Sequence, residues 1–175
     1  MPGVVTTRFR YNLVDQFVEQ FGEASATNMY LFVGRVEGFP DDLNPPTPVN
    51  TIADNDYEVW REMIALKKIS SGDAKEAIQR NNWTSGTTYH EYQTGDSNLY
   101  ANNFYVMTSD FNVYKCLFNN NAGTSTVQPS GTSTSLIKSS DGYIWKYMYT
   151  VSSADVAKFV TTSYIPVQNS ATVQA

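Results

Sequence analysis

Asp141-Gly142-Tyr143-Ile144-Trp145-Lys146-Tyr147-Met148-Tyr149-Thr150-Val151 is the stretch that decides the fold. Asp-Gly marks a turn, and residues 143–151 alternate as a strand does. Successive side chains of a strand point to opposite faces. The alternation therefore predicts Tyr143, Trp145, Tyr147 and Tyr149 on one face and Ile144 and Met148 on the other. With apolar groups on both faces, the strand is expected to be covered on both sides. Ser152 and Asp155 then fit the Ser-x-x-Asp capping pattern, and Val156, Phe159 and Val160 give a short helix its apolar face. Tyr164 to Val167 reads as extended.

Working back from this strand, Phe104–Thr108 and Val113–Phe118 read as a hairpin around Ser109-Asp110-Phe111-Asn112, with Tyr114, Cys116 and Phe118 on one face. Between hairpin and strand, residues 119–135 are almost all Asn, Gly, Ser, Thr, Gln and Pro. That composition predicts a flexible polar loop that buries little. Asn81–Ser97 has polar turn chemistry with Trp83, Tyr89 and Tyr92 embedded in it. Asp73–Ile78 reads as a short turn or helix.

The amino-terminal part is organised differently. Leu13, Val14, Phe17, Val18 and Phe21 form a stripe at helical spacing over residues 12–21, with Asn12 as cap, Asp15 three residues on and Gly22 as terminator. Met29–Val36 reads as a buried strand. Pro40, Pro45, Pro46 and Pro48 make Gly38–Asn50 extended and irregular. Residues 56–65 read as a helix capped by Asn55 or Asp56, with Tyr57, Trp60, Met63 and Ile64 on one face. Leu66–Ile69 either extends that helix or starts a strand.

The composition agrees with a β-rich chain. Its 175 residues include twelve Tyr, nine Phe and three Trp, and aromatic side chains suit a pleated, half-buried surface. The fold class expected is α+β, mainly an antiparallel β-sandwich with long loops carrying short helices. The expected domain is a single one over 1–175. A formal net charge of -5 with scattered basic residues argues against nucleic acid as a partner. No run of about 18 apolar residues suggests a membrane span. Met1–Arg10 lacks the apolar core of a secretory signal, so synthesis in a cytoplasm is expected.

Chemistry is sparse. His90 is the lone histidine, and no Gly-x-Ser-x-Gly elbow accompanies it. Cys116 lies mid-strand on an apolar face, where a thiol behaves as a small hydrophobe. Asp54, Asp56 and Glu58, or Asp41 and Asp42, offer oxygen atoms to a cation, but neither group completes a calcium loop, and Asp54 to Asp56 also fit a helix N-terminus. Gly131-Thr132-Ser133-Thr134-Ser135 lacks a phosphate-cradle pattern. The expectation is no enzyme, with no catalytic residue, no cofactor and no metal. The stripe Tyr143, Trp145, Tyr147 and Tyr149 fits a core face, a protein interface or a sugar-stacking platform.

Three segments together resemble a known family. They are Arg61–Trp83, with Met63-Ile64, Lys67-Lys68-Ile69 and Arg80-x-x-Trp83; Val113-Tyr114-Lys115-Cys116-Leu117; and Asp141-Gly142-Tyr143-Ile144-Trp145-Lys146-Tyr147 continuing to Tyr164-Ile165-Pro166-Val167. Their order and spacing resemble the gene-eight baseplate wedge proteins of T4-like contractile-tailed bacteriophages, in versions carried by phages of marine cyanobacteria. Tyr30-Leu31-Phe32-Val33-Gly34-Arg35 before a Pro-rich loop is consistent with it, and the resemblance spans roughly residues 8–167. It implies a layered β-sandwich that acts as a structural subunit of the virion tail baseplate, assembled in the host cytoplasm. Family members are commonly dimers, contact other wedge proteins and carry no known catalytic residue. They are usually longer, so the expectation is one domain, the first of a longer protein, a shortened version, or a family relative serving elsewhere in the tail. Candidate protein-interface residues lie in the loops: Pro45, Pro46, Trp83, Tyr89, Tyr92, Gln128 and Pro129. The alternative reading, raised by the aromatic excess, is a carbohydrate-binding or host-recognition module of a phage tail.

Overall fold

A computed structural model describes residues 6–23, 28–47, 57 and 60–168. The chain divides into two compact units, Met1–Lys75 and Glu76–Ala175. The class is α+β, and every named strand pairs antiparallel.

In the first unit, helix α1 spans Thr7–Glu19. Its cap is Thr6, not Asn12: the Thr6 hydroxyl accepts from the Phe9 N–H at 3.2 Å. Asn12 sits inside the helix, and the start lies a turn and a half earlier than the apolar stripe indicated. Strands β1 (Tyr30–Gly34) and β2 (Met63–Lys68) form a two-stranded ribbon. Of the expected helix over 56–65, Tyr57, Trp60 and Arg61 are helical, whereas Met63 and Ile64 are strand. Pairing of Phe32 with Leu66 and Val33 with Ala65 overrides the helical period there and settles Leu66–Lys68 as strand. Gly34 is required where β1 shifts register: a Cβ there would lie 2.8 Å from the Glu62 carbonyl oxygen. A turn of 3-10 helix at Ser71–Asp73 follows, tied back by Lys67 Nζ, which donates to Asp73 at 2.5 Å.

The second unit is built on a four-stranded sheet ordered β4-β5-β7-β6. Its strands are β4 (Tyr105–Met107), β5 (Asn112–Phe118), β6 (Leu136–Lys138) and β7 (Ile144–Thr150). A ribbon of β3 (Ala77–Gln79) and β8 (Tyr164–Pro166) accompanies it, so the turn or helix expected at Asp73–Ile78 ends in strand. Helix α2 (Ser153–Phe159) is capped as read: the Ser152 hydroxyl accepts from the Asp155 N–H at 3.1 Å.

Two clusters make the core. The first holds Tyr89, Val106, Tyr114, Cys116, Tyr143 and Trp145, with Trp83, Ile137 and Tyr147 against it. The second holds Met107, Val113, Tyr149, Val151 and Ile165, with Ile78 from β3, Val156 from α2 and Val160 at its end packed against it. Tyr149 therefore leaves the stripe of Tyr143, Trp145 and Tyr147. The cause is a register shift: Tyr114 faces Tyr147 while Val113 faces Tyr149, so Met148 is an extra residue. A bulge of this kind reverses the alternation beyond it. A second shift, between Cys116 and Phe118, sets Phe118 opposite Ile144 and takes it out of the Tyr114–Cys116 row.

Candidate protein interface

The first unit presents what the second one hides. On β1, Tyr30, Leu31, Phe32 and Val33 are between 46% and 61% exposed. The strand was expected to be buried. It is not, because a two-stranded ribbon has two faces and among the described residues neither is covered. Directly opposed residues share a face: Tyr30 and Phe32 stand with Lys68 and Leu66, and Leu31 and Val33 with Lys67 and Ala65. Both faces are thus apolar. Tyr30, Phe32, Trp60, Met63 and Leu66 line an open cleft of about 500 Å³. On α1, Phe9, Leu13, Val14 and Phe17 are also about half exposed, whereas Phe21, just past the helix and edge-on to Phe17 at 5.2 Å, is buried. Contiguous exposed apolar patches, where large, are a feature of surfaces that meet other molecules, which makes α1 and the ribbon the candidate interface.

Charge around the ribbon is largely paired. Lys67 is bound to Asp73, and Arg61 Nε lies 3.0 Å from Glu62. The two cations are exposed while their carboxylates are half-buried, and the Asp73 carboxyl is held below its usual range first by the Lys67 hydrogen bond, then by Ser70. Arg35 lies with its guanidinium 4.1 Å above the Phe39 ring.

The loop candidates divide. Pro45 and Pro46 are exposed, and Pro46 lines a cleft of about 470 Å³ with Phe32, Arg35 and Glu62. Gln128 is half-buried. Tyr92 is half-buried, donates its N–H to Cys116 O at 2.9 Å and lies under Lys115 Nζ at 4.0 Å. Trp83 is half-buried and its indole N–H donates to Ser125 Oγ at 3.1 Å. Tyr89 and Pro129 are corrections: both are buried in the second unit and have no surface to offer. The segment 119–135 buries more than its composition predicts, since Ser125 and Pro129 are enclosed.

That enclosure has a polar cause, the Asp141 carboxylate. It accepts from Thr126 N at 2.8 Å, Val127 N at 2.9 Å, Ser125 Oγ at 3.2 Å and Tyr143 N at 3.3 Å, and also from Ser139 Oγ. Burial pushes this carboxyl up, but the hydrogen bonds from Ser139, Val127, Thr126 and Tyr143 together outweigh it and hold it at about 2. Gly142 has φ +86, and a Cβ on it would fall 2.8 Å from Asn120 Cγ. The Tyr143 hydroxyl donates to Gly123 O at 2.5 Å and accepts from Tyr89 N at 3.2 Å. The Asp-Gly-Tyr run thus clamps two loops onto β7.

The candidate chemical groups are placed as follows. His90 Nδ1 lies 2.7 Å from Glu91 O, and Nε2 lies 3.9 Å from Asp96. Cys116 is fully buried; burial, with Glu91 nearby, pushes its thiol up to about 12, which removes the thiolate needed for nucleophilic work. Asp41 accepts from Leu43 N at 3.0 Å and Asn44 Nδ2 at 2.8 Å, and Asp42 from Phe39 N at 2.8 Å, so both serve the turn. Asp54, Asp56 and Glu58 lie outside the described residues, as do the candidate caps Asn55 and Asp56. Among the described residues, no three His, Cys, Asp or Glu converge as metal ligands, and no helix is long and apolar enough to cross a membrane.

The exposed apolar residues that the sequence did not single out as interface candidates are those of α1, β1 and β2. Their signal was present in Tyr30-Leu31-Phe32-Val33, apolar at every position, but such a run reads as core until its surroundings are known. Neither protein-family models nor curated proteins give a match to the chain.

Proposed function

We propose that the chain is a structural subunit of a phage tail baseplate wedge, holding neighbouring wedge proteins together during tail assembly. The observation that carries an assembly role is the uncovered apolar surface of α1 and the β1–β2 ribbon. A lone two-stranded ribbon is marginal in water, so a partner that covers both faces stabilises it. The baseplate itself enters through the resemblance carried by Asp141–Tyr147 and its companion segments. On this reading the partners are other wedge proteins, the reading admits a homodimer, and nucleic acid and membrane have no part. The chain is not an enzyme; the support is the buried Cys116 thiol and the half-buried His90 beside a backbone carbonyl.

Electron microscopy of the purified virion tests this. The chain is expected in the baseplate, with the β1–β2 ribbon in contact with another protein. Finding it only in the capsid, or only free in the lysate, overturns the proposal. The carbohydrate alternative needs an exposed aromatic platform, and Trp145, one of the two rings it would use, is 0% exposed.

A further inference from the structure

The β1–β2 ribbon has two outer edges, and they differ in charge. The β2 edge carries Lys67 and Lys68, residues that protect an edge against pairing with another strand. The β1 edge, Tyr30-Leu31-Phe32-Val33-Gly34, has no charged residue and no proline. Among the described residues no segment pairs with it. At its end stands Arg35, which stacks on Phe39 and has no carboxylate partner among the described residues; Glu37 lines the same cleft without pairing to it.

We propose that the outer edge of β1 accepts an extended strand of another protein chain, uncharged and apolar at alternate positions, with an acidic residue at the end beside Arg35. Main-chain hydrogen bonds would supply affinity, and alternate side chains specificity, as in strand addition generally. The apolar row lies beside Tyr30 and Phe32, where the cleft lined by Trp60, Met63 and Leu66 takes a large side chain. A second copy of β1 fits less well. Paired antiparallel about Phe32, it sets Met29 opposite Arg35, and Ala24-Ser25-Ala26-Thr27-Asn28 before it has no carboxylate. Paired parallel, it brings two Arg35 residues together, a like-charge contact that destabilises. The inference rests on the assembly reading and names the chemistry of the partner.

The test uses the full chain and synthetic six-residue peptides of alternating Val and Thr, ending in Asp or in Lys at either terminus. Backbone amide shifts are followed by NMR during titration. The Asp peptide is expected to shift Tyr30–Gly34 and to bind about fivefold more tightly than the Lys peptide at low salt. Arg35→Glu should reverse that preference while leaving the amide shifts of the second unit unchanged. Equal binding of the two peptides, shifts on β2 instead of β1, or no shifts at all overturns the proposal. So does a doubled mass in sedimentation that Leu31→Lys abolishes, which assigns the edge to a second copy. A chain seen in the baseplate without any peptide response removes this proposal alone; a capsid location removes the assembly reading and leaves the peptide result standing.

Discussion

Tyr143 and Trp145, two residues apart at the start of β7, stack ring on ring with centroids 5.3 Å apart and planes 17° from parallel. Both are fully buried, and Tyr89 meets Trp145 edge-on at 5.6 Å. This group of three rings is the centre of the first core cluster. Trp145→Ala removes its largest member, and the expected cost is about 3–5 kcal/mol, read from the shift in denaturant midpoint. A loss under about 1 kcal/mol would mean that the ring is not packed as described.

The Asp141 carboxylate gives a pH signature. Its folded value of about 2 lies below the ordinary value of 3.8. A depressed acid contributes stability that is present above its unfolded value and is lost as pH falls through the folded one. Asp141→Asn keeps the shape but sets an amide N–H against the donors of Thr126 and Val127. At neutral pH it is expected to destabilise by about 1–3 kcal/mol. The gap to the parent chain should close between about pH 4 and pH 2, measured by denaturant titration across that window. A constant gap would show that the charge is not what Asp141 contributes.

Gly142 and Asn120 form a coupled pair. Gly142→Ala meets both a positive φ and the Asn120 side chain, so a loss above about 1 kcal/mol is expected. Asn120→Ala removes the clash partner at a cost of its own, since Asn120 has φ +53 and its side-chain amide donates to Asp141 O at 3.2 Å. The double variant should therefore lose less than the sum of the two single losses, read as the interaction term of a double-mutant cycle. Strict additivity would place the cost in φ alone.

On the β1–β2 ribbon stability and assembly should separate. Leu31→Thr with Val33→Thr changes two side chains that are 61% and 57% exposed. Unfolding of the isolated chain is expected to shift by no more than about 0.5 kcal/mol, while incorporation into assembled particles falls sharply. Normal incorporation would clear that face of any role in assembly.

Much of the second unit was legible because its signals are local. The Asp-Gly turn, the Ser152 cap and the hairpin at Ser109–Asn112 each follow from a few adjacent residues. Tyr149 was misplaced because one extra residue, Met148, reverses the alternation, and no residue type announces a bulge. The burial of Ser125 and Pro129 was hidden because it depends on a carboxylate in another segment, Asp141, which composition counting cannot connect to them. Of the candidate interface, the apolar stripe of α1 and the apolar run of β1 are both legible in the sequence; their exposure is not. An apolar run records that a strand is to be covered, not which chain covers it. Two of the seven loop candidates, Tyr89 and Pro129, proved to be core for the converse reason: aromatic and proline residues in loops serve packing as readily as contact.

The Tyr143 hydroxyl joins Gly123 and Tyr89, one from each of two loops, and it can do so only once β7 has docked on β5. The expected order is strand pairing first and closure of the two loops afterwards, past the folding barrier. An interaction made that late acts on the escape rate from the native state and leaves the rate of reaching it nearly untouched. Tyr143→Phe should accordingly accelerate unfolding in stopped-flow measurements while refolding keeps its pace; slower refolding would place the clamp before the barrier. A clamp of this kind lengthens the life of the folded chain without hastening its formation.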